Sequence, residues 1–181
     1  RIFSLNFIIL LLLRILLRNC IDVRSCNAYN RITQLTAYMI HQVAYVVKRG
    51  SEIMILTRED LETIADNVIA DFKREIGIDT SFTLIEQLAT DYLKLRVTFD
   101  RLSNDTGFCG VTAYKDTMFE TVVDGNLKIL KIMKNQIILD SDFMEVGKVQ
   151  ELCGKRRFTL AHEVAHQILF NLESEEEKQK Y

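Results

Sequence analysis

His162 and His166 stand four residues apart, with Glu163 directly after the first. On a helix that spacing sets both imidazoles on one face, one turn apart. Two nitrogen ligands so placed reach a single Zn2+ at about 2.0–2.1 Å. Glu163 lies beside that face. Its carboxylate can take a proton from an attacking water and return it to a leaving amine. Residue types and order therefore point to metal-assisted hydrolysis of an amide bond, with His162 and His166 as ligands and Glu163 as base. The chain has only three histidines. The third, His41, lies in the apolar stretch Leu35–Val47 and is expected to be structural.

The flanks favour a buried helix around these residues. Phe158, Ala161, Ala165 and Leu169 form one apolar stripe, and Leu160, Val164 and Ile168 a second. A helix apolar on two sides is one packed on two sides. Buried imidazoles need partners, and a metal ion would supply one to each. Ala165 is small enough to admit a neighbouring element.

The elements that must hold this helix are legible upstream. Thr57-Arg58-Glu59-Asp60 reads as a helix start, with Thr57 as N-cap and Asp60 at the capping-box position. Leu61, Ile64, Ala65, Val68, Ile69 and Phe72 follow at helical spacing, and Gly77 is placed to end the helix. A second helix fits Ser81–Tyr92, with Leu84, Ile85, Leu88 and Ala89 inward. The period then changes to two. Leu93, Leu95, Val97 and Phe99 alternate with polar residues as in a half-buried strand. Phe108–Tyr114, Met118–Val123, Leu127–Ile132 and Gln136–Asp140 extend the strand series, with Asp124-Gly125-Asn126 as a turn. The fold class predicted is α+β, helices packed on a small antiparallel sheet.

Composition bounds the rest. The 181 residues carry 23 basic and 25 acidic groups, a formal charge of -2, so no field favours direct nucleic-acid binding. The charge is uneven: residues 1–50 hold seven basic groups against one acid, Asp22, whereas the remainder is acidic. We therefore expect an apolar, basic extension over 1–50, with Lys48-Arg49-Gly50-Ser51 as linker, then a domain over 57–172 and a charged tail over 173–181. Ile2–Leu17 is apolar but shorter than the roughly 20 residues of a membrane helix, and Arg14 interrupts it. Asn19-Cys20-Ile21-Asp22 supplies no small-residue cleavage site. A buried helix or an extension is expected there, with membrane attachment through residues 1–17 as the lesser reading. Cys20, Cys26, Cys109 and Cys153 form no C-x-x-C pair and are read as reduced thiols of a cytoplasmic protein.

The segment Arg157-Phe158-Thr159-Leu160-Ala161-His162-Glu163-Val164-Ala165-His166-Gln167-Ile168-Leu169 resembles the R-F-T-L-A-H-E-L-G-H-x-L-L signature of the ImmA/IrrE metallopeptidases. Val164 and Ala165 stand where Leu-Gly is more usual. Thr106-Gly107-Phe108-Cys109-Gly110 is similar to the family's glycine-containing strand, and Ile137-Ile138-Leu139-Asp140 to the short strand before its zinc helix. The resemblance spans about Arg58–Leu172. It implies a zincin-like domain with a Zn2+ cofactor, His162 and His166 as ligands and Glu163 as base. It also implies an endopeptidase whose partner is a protein substrate, a helix-turn-helix (XRE-type) transcriptional repressor. The alternative is a non-catalytic fragment that binds a repressor, or holds metal weakly. In the family the third ligand is usually acidic, in an E-x-x-A-x-x-F-A segment past the second histidine. The sequence begins at Arg1 and ends at Tyr181, fifteen residues after His166, without that segment. Glu173, Glu175, Glu176 and Glu177 read as a solvated run. We therefore expect a truncated chain, no zinc ligand from the tail, and weak zinc binding by these 181 residues alone.

Overall fold

A computed structural model describes residues 45–49, 52–104 and 108–171, and the chain divides into two compact units between Thr83 and Leu84. The apolar run 2–17, His41, Thr106-Gly107 and the glutamates of the tail lie outside the described residues. No helix among the described residues is long and apolar enough to cross a membrane.

In the first unit, β1 (Tyr45–Arg49) and β2 (Glu52–Leu56) pair antiparallel, Arg49 opposite Glu52. Lys48 and Arg49 therefore belong to a strand and not to a linker. Helix α1 (Arg58–Ile76) follows. The Thr57 hydroxyl accepts from the Asp60 N–H at 3.2 Å, and Asp60 Oδ2 accepts the Thr57 N–H at 2.7 Å. Gly77, in the left-handed region at φ 71°, closes the helix by donating to the Lys73 carbonyl. Leu61, Ile64, Ala65, Val68 and Phe72 are buried, as their spacing predicts.

The second unit carries the rest. The expected helix over 81–92 begins only at Ile85: α2 runs Ile85–Gln87 and continues as a π turn over Leu88–Tyr92, with Ile85, Leu88, Ala89 and Tyr92 buried. The Leu93 N–H still bonds back to Leu88, and Lys94 turns at φ 54°, so β3 starts late, at Arg96–Asp100. Four more strands follow: β4 (Gly110–Ala113), β5 (Thr117–Val123), β6 (Asn126–Ile132) and β7 (Gln136–Asp140).

The sheet differs from the wholly antiparallel one expected. Its order is β3-β7-β4, with β7 parallel to β3 and antiparallel to β4. Parallel neighbours need a long crossover, and the excursion through β4, β5 and β6 provides it. Central β7 is buried along its whole length, which explains its apolar centre Ile137-Ile138-Leu139, while its polar ends Gln136 and Asp140 are buried with hydrogen-bond partners. Strands β5 and β6 form a separate ribbon joined at Asp124 (φ 51°) and Gly125 (φ 76°), a two-residue turn with both φ positive. Leu130 and Ile132 pack with Leu102, Ala113 and Ile138, while Phe119 lies against this cluster and stacks on Phe108 with centroids 5.2 Å apart.

Asp140 ends β7. Its Oδ2 accepts the N–H groups of Leu102 (2.9 Å) and Ser103 (3.1 Å), and its Oδ1 that of Asp142 (2.9 Å). This buried carboxylate fixes the chain after β3 to the 3-10 turn Ser141–Met144, from which the chain enters α3 (Val149–Asn171).

Candidate metal centre

Helix α3 holds all three residues singled out by spacing, and both neighbouring layers of its unit fasten it. Glu86 of α2 faces Arg156 Nη2 at 3.3 Å and Arg157 Nη1 at 3.8 Å. From the sheet side, Gln167 Nε2 donates to Thr112 Oγ1 at 2.6 Å and to the Ala113 carbonyl at 3.1 Å, tying α3 to β4. Leu160, Ala161, Val164, Ala165, Ile168 and Leu169 are buried between these ties.

His162 and His166 meet one turn apart. Their Nε2 atoms are 3.2 Å from each other, and the rings cross at 74° with centroids 4.9 Å apart. Ligands of a tetrahedral ion at about 2.0–2.1 Å stand roughly 3.3 Å apart, close to the separation of these two nitrogens. Burial lowers both imidazoles from 6.5 to about 4, and the neighbouring His162 adds to the effect at His166. Near neutral pH both rings are therefore uncharged and carry the lone pair a metal requires.

Glu163 is 6% exposed, and burial raises its carboxyl from 4.5 to about 8. Its side chain lies against the Gly110 backbone in β4. The structure thus brings His162 and His166 together and sets Glu163 on the sheet-facing side. Among the described residues, no His, Cys, Asp or Glu completes a metal-holding group of three.

Three contributors went unassigned at the sequence level: Gly110, Gln167 and Glu86. Gly110 was visible as part of a glycine-containing strand, but only the packed structure shows what touches it. Gln167 and Glu86 act over separations of 55 and 70 residues, beyond any local pattern. Comparison of the chain with protein-family models, with curated proteins and with solved structures finds no match.

Proposed function

We propose that this chain is a zinc-dependent endopeptidase of the ImmA/IrrE kind, acting on a protein substrate that is a helix-turn-helix repressor. One observation carries the reading: two neutral imidazole nitrogens converge to 3.2 Å beside a buried glutamate that follows the first of them. The specificity for a repressor rests on the resemblance of Arg157–Leu169 alone.

His162 and His166 would hold the metal through Nε2. When bound, zinc supplies Lewis acidity, lowering the pKa of water and polarising a carbonyl. The chain's own contribution is Glu163. Positive charge beside its carboxyl opposes the effect of burial and favours the carboxylate. In that form it accepts the proton of the attacking water and later delivers it to the departing amine nitrogen. Burial keeps bulk water from competing for that proton, and the ties at Glu86 and Gln167 keep the helix from drifting.

The test pairs zinc analysis with cleavage of labelled casein and of a purified helix-turn-helix repressor. The wild-type chain is expected to bind zinc weakly and to cleave slowly. Glu163→Gln keeps zinc but loses cleavage by about 100-fold or more, since the amide cannot take a proton. Full activity in Glu163→Gln would refute the assignment of the base, and cleavage of casein without the repressor would refute the substrate.

A further inference from the structure

We propose that Gly110 sets the position of the Glu163 carboxylate, by leaving open a slot between β4 and α3 that any side chain would close. The inference rests on Glu163 being the base. A Cβ built on Gly110 would stand 2.7 Å from Thr159 Cγ2, 3.1 Å from Glu163 Oε1 and 3.2 Å from Glu163 Cγ. Carbon atoms in contact settle at about 3.5–4.0 Å, so Thr159 and Glu163 together occupy the space a side chain would need.

Backbone conformation does not account for a glycine here. Gly77, Gly125 and Gly147 all have positive φ and open space around the missing Cβ. Gly110 is the converse: it is an ordinary strand residue opposite Leu139, crowded on its bare side. A glycine weakens a strand, and in a strand it marks close approach of another group.

Neither wall of the slot is free to retreat. Strand β4 is held on β7, where the Asp140 N–H donates to the Cys109 carbonyl at 2.9 Å. It is held on α3 by the two Gln167 bonds. The Thr159 hydroxyl donates to the Lys155 carbonyl at 2.9 Å, which fixes the rotamer that aims Cγ2 at the strand. An added methyl group must therefore push on Thr159 Cγ2, the nearest atom, and also shift the more flexible Glu163 side chain by a few tenths of an ångström. Gly110 is a positioning residue, acting on the reaction through Glu163.

The test uses the full chain loaded with zinc and assayed on labelled casein. Gly110→Ala should lower kcat per zinc-loaded molecule about 10- to 100-fold, as a misplacement below 1 Å does, with KM and zinc content held. An unchanged kcat per zinc-loaded molecule with a lower Tm would reduce Gly110 to a packing role and overturn the proposal. A second measurement needs no activity. In a Thr159→Ser background, which removes the nearest methyl, the Tm loss caused by Gly110→Ala is read with Glu163 present and with Glu163→Ala. The loss should shrink when Glu163 is truncated; an equal loss in both would overturn the slot. A wild-type chain that neither binds zinc nor cleaves would count against the peptidase reading alone, and the Tm comparison would still decide the slot.

Discussion

Raising the pH should destabilise the metal-free protein, and one side chain should be responsible. Glu163 titrates near 4.5 when unfolded and near 8 in the fold. Between those values the folded state holds a proton that the unfolded state has lost, so stability falls with rising pH at about 1.4 kcal/mol per unit. His162 and His166 act oppositely. Their folded values near 4 lie below the unfolded 6.5, so their contribution is full above 6.5 and is lost as pH falls toward 4. Above pH 6.5 the further gain from the histidines fades as their unfolded rings lose the last half proton each, and the glutamate dominates. From pH 6.5 to 8 the glutamate costs about 1.6 kcal/mol and the two histidines return about 0.8, so the expected net loss is about 1 kcal/mol, or roughly 2–4 °C in Tm for a chain of this size. The assay is thermal unfolding of chelator-treated protein at pH 6.5 and 8.0, wild type against Glu163→Gln. The variant should lose the falling limb, because an amide does not titrate. A wild-type Tm flat across this window, or an equal fall in Glu163→Gln, would refute the assignment.

Further expectations follow from particular contacts. His162→Ala and His166→Ala should each abolish zinc binding, read by metal analysis after dialysis, because each removes one of two nitrogens converging at 3.2 Å. Asp140→Ala should cost about 3–5 kcal/mol in denaturant unfolding, since three backbone N–H groups lose their acceptor in a buried site. Gln167→Leu should cost only about 1 kcal/mol by the same measurement, because the Ala113 carbonyl keeps the Asn135 N–H as a second partner. Thr57→Ala should cost about 1 kcal/mol of helix stability, read as faster amide exchange in the first turn of α1.

Local grammar was readable where neighbours in sequence decide the outcome. The span of α1 is set by Thr57, Asp60 and Gly77, all visible as letters and all acting within a turn of the helix ends. The β5–β6 ribbon followed from Asp124-Gly125, whose φ values match the turn. The histidine pair followed from helical spacing. What escaped was set by partners far along the chain. The alternation from Leu93 suggested a strand, but the π turn consumes Leu93 and delays β3 to Arg96. The apolar text of β7 fits a parallel or an antiparallel neighbour equally well, and only the pairing with β3 decides. The charge step near residue 50 suggested a linker where β1 and β2 pair antiparallel. Gly110 was legible as a glycine, whereas its role depends on Thr159 and Glu163, some fifty residues later.

The most direct test of the central claim is a zinc titration of the full chain, run in parallel on His162→Ala, His166→Ala and Glu163→Gln. The account predicts weak zinc binding by the wild-type chain, equal binding by Glu163→Gln, and none by either histidine variant. Zinc binding that survives the loss of His162 or His166, or a wild-type chain that takes up none, would contradict it.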